Sequence, residues 1–316
     1  MRVLITGGAG FIGSHLADRL LERGDDVLVV DNYETGRRDN LQPHPKLQLV
    51  EGSIADESLM TRLFSDFKPQ VVVHAAASYK NPDNTVGDAL TNVVGTAVVV
   101  KQSQQHQVQR FIYFQTALCY GTPDEQPITL SHPLKIDATS YAISKTAGEL
   151  YIQMSGLNWV SFRLANAYGP RNISGPLPTF FQRLSAGKPC FVVDTRRDFI
   201  YVEDLVEIAM LAVDGQGEPG AYHIASGSDV SIKELFDATV TAMGITLQGD
   251  VEVRPRSKDD AATILLDPSR TLQQFGRKPE TPLAQGISKT IAYYREYGIT
   301  ETFTHLRHEE KPVVAV

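Results

Sequence analysis

Cysteine is scarce: Cys119 and Cys190 are the only two in a chain of 316 residues. They lie far apart in no paired spacing, which excludes a disulfide framework and a cysteine-built metal site and suits a reducing cytoplasm. Long apolar runs are missing too. None approaches the roughly 20 residues that a spanning helix needs, and no charged and apolar leader precedes the first strand, so neither a membrane anchor nor export is expected. Cationic surplus is also lacking, since 30 Lys and Arg stand against 37 Asp and Glu for a net charge of −7. Such a chain has no general electrostatic grip on nucleic acid or an anionic membrane, and any phosphate it binds must be held by local groups. Internal repeats and low-complexity tracts are absent as well.

What the chain does have is enough apolar material, 42% of its residues, to bury a large core in one domain or two unequal ones. Short β-branched runs at 3–6, 27–30, 47–50, 71–74, 110–115 and 159–164 alternate with helical segments. That alternation predicts βαβ units and a doubly wound parallel sheet of the α/β class, and the unbroken Val71-Val-Val73 predicts strands buried on both faces. From Tyr168 the texture changes. Gly169-Pro170, Gly175-Pro-Leu-Pro178 and Lys188-Pro189 read as loops, and helical patterns follow at 231–243 and 282–297. The expected division is a cofactor domain over 1–168 and a smaller α/β domain over 169–316 set across the carboxyl ends of the strands, with some of its segments returning to the first. The tail after His305 reads as frayed.

The chain opens with a strand that runs into glycines at 7, 10 and 13 and then directly into a helix over 11–23. The three glycines serve different ends: Gly7 permits a tight turn, Gly10 lets a diphosphate come close, and Gly13 lets the helix pack on its strand. Free N–H groups around Phe11, Ile12 and Gly13 then face the phosphate charge. The spacing is GxxGxxG, which alters the turn but keeps the phosphate logic. The second strand ends at Asp31, placed to accept hydrogen bonds from an adenosine ribose and to repel a 2′-phosphate, so NAD is expected rather than NADP. Arg37 and Arg38, just beyond, are the features that pull the other way.

Further on, Tyr141-Ala-Ile-Ser-Lys145 stands near the start of a helix predicted to reach about residue 154. The i, i+4 spacing puts phenol and ammonium on one face, where the cation and the positive helix start favour a phenolate able to act as a base. Thr116, just past the fifth strand, is placed to bond both a substrate oxygen and that phenolate. His74 reads as a strand-end core residue, and Asn92 reads equally as a helix-stabilising side chain.

With those pieces in order, the chain resembles an extended short-chain dehydrogenase/reductase of the nucleotide-sugar epimerase and dehydratase branch, over nearly its full length. The resemblance rests on residues 6–13, Asp31-Asn32, His74-Ala-Ala-Ala77, Asn92-Val-Val-Gly-Thr96, the stretch 116–121, Tyr141 to Lys145, Arg163-Leu-Ala-Asn-Ala-Tyr-Gly-Pro170 and Arg197-Asp-Phe-Ile-Tyr-Val202. It implies a Rossmann-type cofactor domain with a smaller substrate domain, NAD as cofactor, and a homodimer joined through the helices over 86–105 and around Tyr141. Tyr141 would be the base, Lys145 its partner and a ribose ligand, and Thr116 the assisting hydroxyl. Asp31, Asn32, Ser53, Ile54, Asn92 and the turn Ala75, Ala76 and Ala77 would line the cofactor. Asn166 and Arg197, with Arg254 or Arg256, would hold the diphosphate of a nucleotide sugar. Lys80 and Arg171 have the charge to meet the carboxylate of a uronate.

Two departures bear on the reaction. Ser53 stands where the family has an acidic residue beside the adenine, and the turn Thr116-Ala117-Leu118 lacks the carboxylates that dehydratases and uronate decarboxylases of this branch carry. Epimerisation needs none there, because the keto sugar takes the same hydride back on its other face. The reading is therefore 4-epimerisation of a UDP-linked hexose or hexuronate for polysaccharide or glycoside synthesis. A dehydratase drawing on Asp83, Asp137 or the loop 171–178, a net reductase, and a cofactor-binding sensor without catalysis remain the alternatives.

Overall fold

A computed structural model describes residues 1–136, 139–257, 260–299 and 301–303. Asp137 and the tail after His305 lie outside the described residues. In chain order the first part comprises β1 (Arg2–Thr6), α1 (Phe11–Arg23), β2 (Asp26–Asp31), β3 (Leu47–Glu51), α2 (Glu57–Phe67), β4 (Val71–His74), α3 (Thr85–Asp88), a π-helical segment (Ala89–Gly95), α4 (Thr96–Gln105), β5 (Arg110–Thr116), a 3₁₀ turn (Ala117–Tyr120), α5 (Ser140–Gln153) and β6 (Trp159–Leu164). The second part comprises β7 (Asn166–Tyr168), α6 (Pro176–Ser185), β8 (Phe191–Val193), β9 (Arg196–Tyr201), α7 (Val202–Val213), β10 (Gly220–Ile224), β11 (Asp229–Ser231), α8 (Ile232–Met243), β12 (Glu252–Arg254), β13 (Thr263–Ile264), α9 (Ser269–Phe275) and α10 (Leu283–Tyr297).

Seven parallel strands form the main sheet in the order β10-β6-β5-β4-β1-β2-β3. The order reverses beside β1, and the carboxyl ends of the strands there are where doubly wound sheets form the crevice that binds their ligands. Strand alternation sorts the core into two layers. Val3, Ile5, Val27, Val29, Val71 and Val73 pack with Leu16 and Leu20 of α1 on one face, while Leu4, Leu28, Val30 and Val72 pack with Met60, Phe64 and Val99 of α2 and α4 on the other. Local chemistry closes the helices: Gly24 ends α1 in the left-handed region, Asp56 caps α2, and Ser231 with Glu234 forms a capping box on α8.

Strand β10 is a segment of the second part that returns to the main sheet, beside β6. Two elements differ from the sequence reading. The segment 175–178, read as loop, starts helix α6, because Gly175 takes φ +93° and Pro176 enters at the first helical position. The helix over 86–105 is interrupted by the π-helical segment, whose wider turn carries the buried Asn92. The smaller sheets, β11-β9-β13 with β7 beside β9 and the pair β12-β8, stand in the second part. No helix among the described residues is long and apolar enough to cross a membrane.

Candidate active site

At the carboxyl end of β1, Gly7 takes φ +66°, and a Cβ there would lie 2.6 Å from the backbone of Ala76. The turn after β4 therefore sits directly on the glycine loop, with Ala75 N–H donating to Thr6 O at 3.1 Å. Gly13 is equally committed, since a Cβ would meet the Gly8 backbone at 2.8 Å. Gly10 is the open one: only Gly7 O, at 3.2 Å, lies near its Cβ position. Helix α1 has neither a side-chain cap nor an acidic residue in its first turn, so the N–H groups of Phe11, Ile12 and Gly13 face outward at the positive end of the helix. That cradle fits a diphosphate.

Asp31 ends β2 beside the glycine loop. Its carboxylate accepts from Ala9 N–H at 2.9 Å and Tyr33 N–H at 2.8 Å; burial pushes its pKa up and the two N–H bonds oppose it. The nearby arginines are already engaged, Arg37 with Asp39 and Arg38 with Glu51. Asn32 Oδ1 accepts from Glu34 N–H, exposed Ser53 turns its hydroxyl to Ala55 N–H, and Ile54 is buried against Gly95 of the π-helical segment. Ala75, Ala76 and Ala77 are all partly exposed along the groove.

Thr139 caps α5 by accepting from Ala142 N–H at 3.1 Å, which sets Tyr141 and Lys145 one turn apart at the crevice. Lys145 is buried, its Nζ 4.0 Å from the centre of the Tyr113 ring, and burial lowers its ammonium to about 7 against the opposing charge of Glu149. The Tyr141 phenol moves the opposite way from the sequence expectation. Enclosure raises its pKa well above the ordinary value, with Tyr79 and Asp88 adding to the rise. The Tyr79 ring stands edge-on, 6.4 Å from that of Tyr141. His74 is a core residue bonded to Thr6 and Thr96, and burial lowers it to about 3. Asn92 joins two parts of the site, exchanging hydrogen bonds with the Ser78 backbone and donating to Ser144 Oγ of α5 at 3.0 Å. Thr116 ends β5, and its Oγ1 accepts from Leu118 N–H at 3.2 Å, which leaves the hydroxyl hydrogen free to donate outward.

In the second part of the chain, Arg197 pairs with Asp260 at 2.5 Å rather than with its neighbour Asp198. Successive strand residues face opposite ways, and Asp198 turns inward to Ser226 and Gly227. Arg256 donates to the Asp260 carbonyl, so the two arginines meet on one turn, whereas Arg254 lies apart, paired with Glu252 and stacked on Phe191. Asn166 Nδ2 donates to Asp198 O at 3.2 Å. Lys80 lies over the Phe303 ring and 3.5 Å from Glu301. Arg171 takes φ +68° and turns to α1, where it pairs with Asp18 at 2.7 Å.

The family model for the NAD dependent epimerase/dehydratase family matches residues 3–225. The chain belongs to that family. Among solved structures, the Bordetella bronchiseptica enzyme WbmH, in complex with NAD+, is 56% identical with a TM-score of 0.91, covering 94% of this chain and 99% of its own. WbmG from the same organism, in complex with NAD and UDP, is 45% identical with a TM-score of 0.90, covering 97% and 99%. A UDP-glucose 4-epimerase of Mycolicibacterium smegmatis is 33% identical over 314 residues, 93% of this chain and 99% of that protein. Relatives at 32% identity include a dTDP-glucose 4,6-dehydratase of an Actinoplanes species.

In this member of the NAD dependent epimerase/dehydratase family, several residues at the site escaped the sequence reading. Tyr79 beside Tyr141, the buried Ser78–Asp88 hydrogen bond and the Asp260 partner of both arginines are joined only by the fold. Glu149 had a signal, since it continues the Tyr141–Lys145 face by one more turn.

Proposed function

We propose that this chain is an NAD-dependent 4-epimerase acting on a nucleotide sugar, a UDP-linked hexose or hexuronate. The observation that carries the reading is the turn Ala117–Tyr120: it packs against α5, the helix that bears Tyr141 and Lys145, and contains no carboxylate to drive elimination. Gly7, Gly10, Gly13, Asp31 and the Ala75–Ala77 turn would hold NAD, which when bound accepts a hydride from the sugar carbon and returns it.

Tyr141 Oη would take the proton of the C4 hydroxyl when that carbon is oxidised to the keto level. Thr116 donates to the same sugar oxygen, and Lys145 supplies the positive potential that a phenolate needs. Arg197 and Arg256 clamp the diphosphate while the keto sugar turns in the crevice. Tyr141 would give its proton back to the same oxygen once the opposite face of the sugar carbon is turned to the cofactor site, so that no net oxidation remains. The hydrophobic stripe of Val86, Leu90 and Val94 beside that of Ile143, Leu150 and Met154, all exposed, supports a homodimer formed by these helices packing on a second copy.

The test is incubation with UDP-glucose, UDP-N-acetylglucosamine and UDP-glucuronate deuterated at C4. The expected result is the 4-epimer with the label kept at C4 and no accumulation of NADH. Loss of water to a 4-keto-6-deoxy sugar would identify a dehydratase, stoichiometric NADH a net oxidoreductase, and no exchange of any kind a sensor.

A further inference from the structure

Below the reacting groups lies a buried polar chain that the chemistry above does not use. Glu149 accepts from Ser161 Oγ and from Arg163 Nε and Nη2, the last at 2.8 Å. Arg163 Nη1 donates to Tyr120 Oη at 2.8 Å, and Tyr120 Oη stands 2.7 Å from His223 Nε2. His223 Nδ1 lies 2.9 Å from the carbonyl oxygen of Asp267. Glu149, Arg163, Tyr120 and His223 are all buried.

The direction of every bond follows from one fixed point. A backbone carbonyl can only accept, so His223 Nδ1 carries the proton; burial lowers His223 to about 4, so the ring is neutral and its Nε2 is an acceptor. Tyr120 must then donate to His223, which leaves its oxygen lone pairs for Arg163. Arg163 gives Nε and Nη2 donors to Glu149, whose buried charge is thereby paired. The bonds run from α5, one turn beyond Lys145, through β6 to the turn that follows Thr116, and on to β10 and the Asp267 carbonyl.

We propose that Glu149, Arg163 and Tyr120 are positioning residues, a strut that fixes the Thr116 turn against the Tyr141–Lys145 helix so that hydroxyl and phenol converge on one sugar oxygen. The inference rests on the epimerase reading for its catalytic consequence, while the strut itself can be tested without any substrate. Removing the Tyr120 hydroxyl disconnects the two ends and leaves the Glu149–Arg163 pair in place.

Two measurements decide it. In the NAD-bound protein, long-range ¹⁵N correlation of the histidine rings, with His223 assigned from a His223→Gln variant, should show His223 neutral with its proton on Nδ1 from pH 8 down to 5.5. A proton on Nε2, or titration near 6.5, overturns the strut whatever the enzyme's reaction. In the 4-epimerase assay, Tyr120→Phe should bind NAD as the parent does, melt within a few degrees of it, and lose about tenfold in kcat with KM unchanged within twofold. A kcat within twofold of the parent overturns the positioning role. Should Tyr120→Phe lose NAD, Arg163→Lys carries the same reading, because a single ammonium keeps the charge beside Glu149 but gives up the fork that reaches Tyr120. A parent that epimerises no UDP-sugar defeats the functional reading instead, and the histidine spectrum still judges the strut.

Discussion

Lys145 Nζ lies 4.0 Å from the centre of the Tyr113 ring, in a pocket that leaves the lysine 2% exposed. The ring face offers part of the solvation that water would give the ammonium, and burial still lowers its pKa to about 7. The unfolded chain holds that proton up to the ordinary lysine value of about 10.4. Between those two values the unfolded state binds more protons, so this group's contribution to stability rises as pH rises from 7 to 10 and is least favourable below 7. Lys145→Met is expected to raise the melting temperature at pH 6.5, with a gain that shrinks toward pH 10, while abolishing turnover. Thermal melts of both proteins across that range check it; a gain that grows with pH contradicts the buried-cation account.

The three glycines of the first loop should separate fold from cofactor binding. Gly13→Ala puts a methyl into the Gly7 and Gly8 backbone and should cost both stability and NAD. Gly10 has φ −78°, a value open to any residue, and only Gly7 O near its Cβ position. Gly10→Ala is therefore expected to melt close to the parent and yet weaken NAD by tenfold or more, measured by the absorbance of cofactor retained through gel filtration. Equal NAD content in parent and variant would remove Gly10 from the diphosphate site.

Arg197 and Arg256 share the turn at Asp260, which holds the first by a charge pair and the second by its carbonyl. If these arginines clamp a diphosphate, Arg256→Ala should raise KM for the nucleotide sugar about tenfold and leave kcat within threefold, because Arg256 is exposed and its removal breaks no buried pair. Steady-state kinetics on the best UDP-sugar give the split. A fall in kcat at constant KM would place Arg256 with the reacting groups instead.

How much of this could be read beforehand depended on how local each cause was. Val71-Val-Val73 shows its double burial in its own composition, and the spacing of Tyr141 and Lys145 shows their shared face. Strand β10, by contrast, takes its identity from pairing with β6 some sixty residues away, and its Tyr222 and His223 carry no strand signal comparable to a valine run. Helix α6 was hidden by Pro176 and Pro178, which mark loops until one sees that Gly175 turns the chain into the first helical position. Within the site, burial sets the direction of the Tyr141 shift, and Tyr79 and Asp88 reinforce it; Arg171 finds Asp18 across more than 150 residues. Partners that distant leave no trace in a local pattern.

The Tyr141 phenol, raised by its enclosure beside Tyr79 and Asp88, must be brought back toward neutrality to serve as a base. A cation one turn along the same helix, as Lys145 is, acts in that direction. Tyr141→Phe keeps the ring against Tyr79 and removes only the proton carrier. Turnover should fall by roughly 10²–10⁴ fold, as for loss of an essential acid or base, with NAD content unchanged. The same loss should hold at every pH from 6 to 9, because no neighbour replaces the phenol: His74 is sequestered between Thr6 and Thr96. Activity in Tyr141→Phe that recovers at high pH would instead assign the base to a group that the phenol merely shields.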